Sequence, residues 1–233
     1  MQKTVGILGG MGPEATALFY HKVVQLSPAK NDQDHLKTII LSNPKIPDRN
    51  SYFANKSQSP LPTLIDSVKQ LECMGADFIS MPCNTVHGFW KQLCEAVNIP
   101  ILNIISETVA AIKNDRQEFS NSHIGLLATD GTLRMEIYQQ PLLSAGFKLI
   151  TPEPAAQKAV HDGIYSIKSG ENTRKAIENI QKGILSLQQQ EASALIYGCT
   201  EFNLIKNELR TEITPFDSLD ILAKATVDFA LSK

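Results

Sequence analysis

The sequence predicts an α/β fold on a parallel sheet, and three observations predict it. Short apolar runs of strand length alternate with longer runs of helical periodicity from end to end of the 233 residues, the pattern left by strands joined through crossover helices. A glycine-rich turn follows the first apolar run. The two halves of the chain also resemble each other at a nearly constant offset.

The candidate strands are Thr4–Leu8, Thr38–Leu41, Phe78–Met81, Ile101–Asn103, Ile124–Ala128, Lys148–Ile150 and Ala194–Tyr197. After Ser59-Pro60, Leu61, Leu64, Ile65, Val68 and Leu71 recur at helical spacing, and Gly75 is placed to stop that helix. Ile177, Ile180, Ile184 and Leu187 repeat the pattern later. The chain closes with Thr214-Pro215-Phe216-Asp217 and a helical pattern on Leu219, Leu222, Ala223 and Val227, a helix free to pack back on the first half.

Val5-Gly6-Ile7-Leu8 resembles His123-Ile124-Gly125-Leu126-Leu127, with the glycines 119 positions apart. Phe78-Ile79-Ser80-Met81-Pro82-Cys83-Asn84-Thr85 resembles Leu195-Ile196-Tyr197-Gly198-Cys199-Thr200-Glu201, with the cysteines 116 positions apart. A duplicated α/β unit puts Cys83 and Cys199 at equivalent places just past the carboxyl end of a strand, where open α/β sheets hold ligands. The expected division is residues 1–115 plus 216–233 as a domain carrying Cys83, and 116–215 as a domain carrying Cys199.

Composition bounds the function. With 22 basic and 24 acidic residues spread along the chain and a formal charge of -2, no basic face points to nucleic acid or an anionic membrane. A small molecule is the expected partner. The N-terminal apolar run is too short for a signal-peptide core or a bilayer span, so the expected location is cytoplasmic. The four cysteines show neither CxxC nor zinc-ligand spacing and read as free thiols in a reducing compartment.

Two thiols in repeat-related positions suit proton transfer at carbon, one as thiolate abstracting and the other as thiol donating. A free cysteine is mostly thiol at neutral pH, so at least one needs help from N–H donors or positive charge. Each cysteine is followed by hydroxyl residues and an apparent helix start, which would supply orphan N–H groups. The plainer reading of either cysteine alone is a small buried hydrophobe; the matched pair is what argues against it. Cys73 and Cys94 read as packing residues. His87, four positions after Cys83, could raise thiolate character or simply pack, and His21, His35, His123 and His161 suggest no partner.

Taken together, Gly9-Gly10-Met11-Gly12-Pro13, Pro47-Asp48-Arg49, Met81-Pro82-Cys83-Asn84-Thr85-Val86-His87, Leu127-Ala128-Thr129-Asp130-Gly131-Thr132 and Gly198-Cys199-Thr200-Glu201 resemble the aspartate/glutamate racemase superfamily, on its aspartate racemase branch. The resemblance covers essentially the whole chain. It implies two Rossmann-like parallel-sheet domains related by a pseudo-two-fold axis, an active site in the cleft between them, no cofactor, no metal and a homodimer. It implies proton transfer by Cys83 and Cys199 on an acidic amino acid. Arg49 and Lys168 follow as partners of substrate carboxylate, and Met11, Asn84, Thr85 and Thr200 as groups lining the substrate beside the thiols. Gly10-Met11-Gly12 and Glu201 stand where the glutamate-specific branch usually has Asp-Ser and a histidine, which favours aspartate or a broader acidic range.

The residues agree with this. A dianionic substrate calls for cationic or N–H-rich clamps, and the planar fork of Arg49 suits a carboxylate. The Gly9–Gly12 turn lets backbone N–H groups approach an anion at a helix start, with Pro13 in the first helical position. Two other readings compete. Gly10-x-Gly12-x-x-Ala15 meets a loose dinucleotide fingerprint, but the second strand ends in Ser42-Asn43-Pro44 where an acidic residue is expected. The other rival is an amino-acid-binding protein of the same fold without turnover, which has no need of two thiols.

Overall fold

The computed structural model describes residues 2–115, 122–171 and 173–232. The chain divides into two compact units, Met1–Ile104 with Leu219–Lys233, and Ile105–Ser218.

Unit 1 runs β1 (Val5–Gly9), α1 (Pro13–Leu26), β2 (Thr38–Ser42), α2 (Arg49–Phe53), α3 (Leu61–Cys73), β3 (Phe78–Ser80) and α4 (Trp90–Ala96). Its sheet is parallel with order β2-β1-β3, and Gly6 of β1 lies between Ile39 and Ile79. β1 and β3 are buried along their whole length while β2 is partly exposed. On one side Leu64, Val68 and Leu71 of α3 join Leu8, Ile79, Met81 and Leu93 in one apolar cluster.

Unit 2 runs α5 (Ile104–Asn114), β4 (His123–Leu127), α6 (Asp130–Arg134), α7 (Gln139–Ser144), β5 (Lys148–Ile150), α8 (Pro154–Lys168), α9 (Thr173–Gln189), β6 (Ala194–Tyr197) and β7 (Thr214–Asp217). Its sheet is parallel with order β5-β4-β6-β7, and Gly125 of β4 lies between Ile150 and Leu195. Ile180, Ile184 and Leu187 of α9 pack with Ile164 of α8 and with Leu127, Leu195 and Tyr197 from the strands. The closing helix α10 (Ser218–Leu231) belongs to unit 1 from Leu219 onward. There Lys3 donates its backbone N–H to Ala230 O, Thr226 shares a 2.7 Å hydrogen bond with Ser80, and Phe229 meets Phe78 at 4.8 Å between ring centroids.

The internal repeat is visible in the hydrogen bonds. Each unit has a helix that ends in the same turn before the strand that leads to its cysteine, β3 or β6. In unit 1 Gly75 N–H donates to Glu72 O and Ala76 N–H to Leu71 O; in unit 2 Glu191 N–H donates to Gln188 O and Ala192 N–H to Leu187 O. Gly75 and Glu191 both adopt positive φ, +90° and +58°, the left-handed conformation such a helix stop requires.

Two strand expectations change. Ile101–Asn103 is not a strand: Ile101 makes a single parallel bridge to Ile79, with Pro100 accepting from Ile79 N–H at 2.8 Å. Thr214–Asp217, read as a lead-in to the last helix, is the fourth strand of unit 2. Pro215 hides it in the sequence, because a proline cannot donate to a ladder and reads as a turn. β7 lies at the sheet edge, where the missing donor does no harm.

Candidate active site

In unit 1 the glycine turn, the Arg49 helix and the Cys83 turn lie at the carboxyl ends of the strands. Gly10, at φ +89°, turns the chain against the backbone of Asn43; a Cβ there would lie 2.4 Å from Asn43 C. Thr16 fixes the turn, its Oγ1 accepting from Gly10 N–H at 3.0 Å and donating to Gly12 O at 2.7 Å. Pro13 then begins α1, with Gly12 in the cap position.

Asp48 caps α2 by accepting from Ser51 N–H at 2.7 Å, so Arg49 becomes the first helical residue. Tyr52 and Phe53 pack on Phe89 at 5.7 and 5.4 Å, which ties α2 to the turn after Cys83. Arg49 is buried. Its Nη2 donates to Met11 O at 3.2 Å and its Nη1 to Pro47 O at 3.3 Å. Its Nε, also buried, has no hydrogen-bond partner among the described residues. A buried guanidinium whose hydrogen bonds go to carbonyls, and whose Nε–H has no acceptor among the described residues, is suited to take a carboxylate.

Cys83 follows β3 through Met81 and Pro82 and is buried, as are Asn84 and Thr85 beside it. The expected helix start is a five-residue 3-10 turn, Thr85–Phe89, that runs directly into α4. His87 lies within it. Its Nδ1 donates to Cys83 O at 2.8 Å and its Nε2 accepts from Ile104 N–H at 3.2 Å. With both nitrogens so engaged the ring is neutral, and burial pushes its pKa down to about 4. His87 holds the backbone on which Cys83 stands; its ring supplies no charge to the thiol.

In unit 2 Cys199 ends the segment after β6 and leads into a second 3-10 turn, Thr200–Leu204. Its Sγ donates to Glu201 Oε2 at 2.8 Å, and Thr200 Oγ1 reaches the same oxygen at 3.4 Å. Lys168, at the end of α8, places Nζ 3.7 Å from Glu201 Oε1. Burial, then the Glu201 charge, push the Cys199 thiol well above its usual value, against the opposing pull of Lys168. Cys199 is therefore a thiol at neutral pH.

The structure thus gathers Met11, Arg49, Cys83, Asn84 and Thr85 in unit 1, and Lys168, Cys199 and Thr200 in unit 2. It adds roles the sequence did not assign. Glu201 is the immediate partner of Cys199. His161, Tyr165 and Lys168 recur at four and three positions on α8, the spacing of one helix face. His161 Nδ1 accepts from Asp130 N–H at 3.3 Å, and its ring meets Tyr165 at 4.8 Å. Lys168 Nζ lies 5.5 Å from the Tyr165 ring centre. That spacing, and the place of Asp130 in a turn after β4, were the available signals. Of the other cysteines, Cys94 packs partly against the unit 1 core, whereas Cys73 is exposed because it lies off the buried face of α3.

Among the described residues no cluster of three or more His, Cys, Asp or Glu side chains could hold a metal ion. No described helix is long and apolar enough to cross a membrane.

A family model for Asp/Glu/hydantoin racemase matches residues 8–226. The broad specificity amino-acid racemase RacX of Bacillus subtilis is 31% identical over 98% of this chain and 98% of its own. The Picrophilus torridus aspartate racemase structure superposes with a TM-score of 0.84 at 32% identity, covering 98% of this chain and 94% of that one. The glutamate racemase isoform RacE1 of Bacillus anthracis, at 19% identity and TM-score 0.68 over 98% of this chain and 81% of its own, shares the fold.

Proposed function

The chain belongs to the Asp/Glu/hydantoin racemase family and is an amino-acid racemase of the Asp/Glu type, and from that premise we propose that it interconverts L- and D-aspartate by proton transfer between two cysteines, without a cofactor. The observation that carries this reading is the equivalence of Cys83 and Cys199. Each stands four positions after a residue, Ile79 or Leu195, that pairs with the repeat-related glycine of the central strand.

One thiolate takes the α-proton of the bound amino acid: an S–H bond forms, the C–H bond breaks, and the electron pair moves toward the α-carboxylate. The opposite thiol then gives its proton to the other face of the α-carbon, leaving the thiol and thiolate exchanged. The next substrate of opposite hand uses them in reverse, so no outside reductant, oxidant or acid is needed.

The α-carbon proton is weakly acidic, so charge must be stabilised where it develops. Arg49, buried with an unpartnered Nε, supports a carboxylate clamp. Asn84, Thr85 and Thr200 contribute hydrogen bonds to the α-carboxylate and amine in this reading, with Met11 against the substrate and Lys168 the second cation.

One observation favours a wider range than aspartate alone. Lys168 is already paired with Glu201, so its charge is shared between that carboxylate and the side-chain carboxylate of a substrate, which weakens the selection for an acidic side chain. The difference between aspartate and glutamate, one methylene, is worth only about 1–3 kcal/mol in a pocket.

A racemase assay of aspartate, glutamate and neutral amino acids in both hands, without added cofactor, tests the proposal. Turnover of aspartate that disappears in Cys83→Ala and in Cys199→Ala is expected. Turnover that survives either substitution would remove the two-thiol reading.

A further inference from the structure

We propose that Glu201 is a positioning residue that fixes the Cys199 proton, so that the free enzyme presents Cys199 as the acid and leaves Cys83 to act as the base. The proposal rests on the two-thiol reading above and adds to it the state in which the enzyme waits for substrate.

The geometry is specific. A carboxylate can only accept, so the proton on the 2.8 Å contact between Cys199 Sγ and Glu201 Oε2 belongs to sulfur. Both side chains are buried, Cys199 at 7% exposure and Glu201 at 3%, so the contact cannot be replaced cheaply by water. The second carboxylate oxygen, Oε1, has no hydrogen-bond partner among the described residues and lies 3.7 Å from Lys168 Nζ. Glu201 is thus held between the Lys168 ammonium and the Cys199 thiol, and its carboxylate keeps the proton on sulfur. Losing that proton would set two negative charges side by side in a buried place, which disfavours the thiolate.

Among the described residues the charged groups acting on this thiol are Glu201, from its own turn, and Lys168, from α8. The lysine opposes Glu201 with the smaller effect, and the carboxylate, at hydrogen-bond range of the sulfur, decides the balance.

Glu201 cannot bias the final mixture of hands, because the equilibrium between enantiomers lies outside the enzyme's control. It sets which sulfur holds the proton before the first turnover.

The test uses the full chain as wild type, Glu201→Gln and Glu201→Asp. Iodoacetamide alkylation is followed separately at Cys199 and Cys83 by peptide mass spectrometry as pH is varied. Glutamine keeps an accepting oxygen for the thiol but removes the charge. In E201Q the pH of half-maximal Cys199 reactivity should fall by about one unit, raising alkylation at neutral pH about tenfold. Cys83 in the same sample should be unchanged. E201D keeps the charge at a longer reach, and its Cys199 profile should lie between the other two; it also serves if E201Q does not fold. A Cys199 profile that is the same in wild type and variants, or a Cys83 shift as large as that of Cys199, would overturn the assignment. If the shift is found but wild type incorporates no solvent deuterium into substrate, the racemisation reading fails while the hold of Glu201 on Cys199 stands, so the two failures are distinguishable.

Discussion

His87 donates its Nδ1–H to the carbonyl of Cys83 at 2.8 Å, and through its other nitrogen it receives Ile104 N–H. The ring is a strut between the cysteine turn and the start of α5.

That strut works only while it is neutral. Its pKa is pushed down to about 4 when folded, against about 6.5 in an unfolded chain. The unfolded state therefore binds the extra proton first as pH falls. The stabilisation is complete above about pH 6.5 and is lost progressively toward pH 4, a total on the order of 3 kcal/mol. Thermal unfolding measured across this range should show a falling melting temperature, and His87→Gln should flatten that pH dependence while lowering stability at neutral pH.

Arg49 should separate binding from stability. Removing a charged hydrogen-bond donor from a substrate carboxylate costs about 1.5–3 kcal/mol, or roughly ten- to a hundredfold in KM. Burying an incompletely paired guanidinium is itself costly, and an apolar replacement of similar volume can be neutral or stabilising. Arg49→Met should therefore raise KM strongly without lowering the melting temperature. A variant that instead unfolds with KM intact would make Arg49 a structural residue.

The two copies of the helix stop differ in a measurable way. Gly75→Ala places a side chain at φ +90° with open space around it, so conformation alone costs about 1–2 kcal/mol. Glu191 already bears that strain. Glu191→Gly relieves about 1–2 kcal/mol of it but frees the unfolded chain by about 0.4–1 kcal/mol, leaving a modest net stabilisation of under about 1.6 kcal/mol. Gly10→Ala adds a 2.4 Å approach to the Asn43 backbone to the same conformational strain, so it should be the most destabilising of the three. Denaturant unfolding of these variants gives the order directly.

Much of this was legible in the sequence because burial on both faces of β1, β3, β4 and β6 leaves uninterrupted apolar runs, and because the repeat preserves Gly6 with Gly125 and Cys83 with Cys199. What escaped was set by contacts across the chain. Pro215 conceals an edge strand, and Ile101 has strand chemistry but pairs at one position only. The role of His87 depends on Ile104, and that of Glu201 on Lys168, neither of which any local motif announces. The segment after Cys199 looks like a helix start in sequence, yet it is a five-residue 3-10 turn, which leaves the charge control of that thiol to side chains.

The central claim is that two protein thiols exchange the α-proton with the substrate, and the decisive measurement is deuterium at the α-carbon. With one hand of aspartate in D2O, early product of the opposite hand should carry α-deuterium while unreacted substrate keeps its protium, and neither Cys83→Ala nor Cys199→Ala should form product. Product that retains the original α-protium would contradict the account.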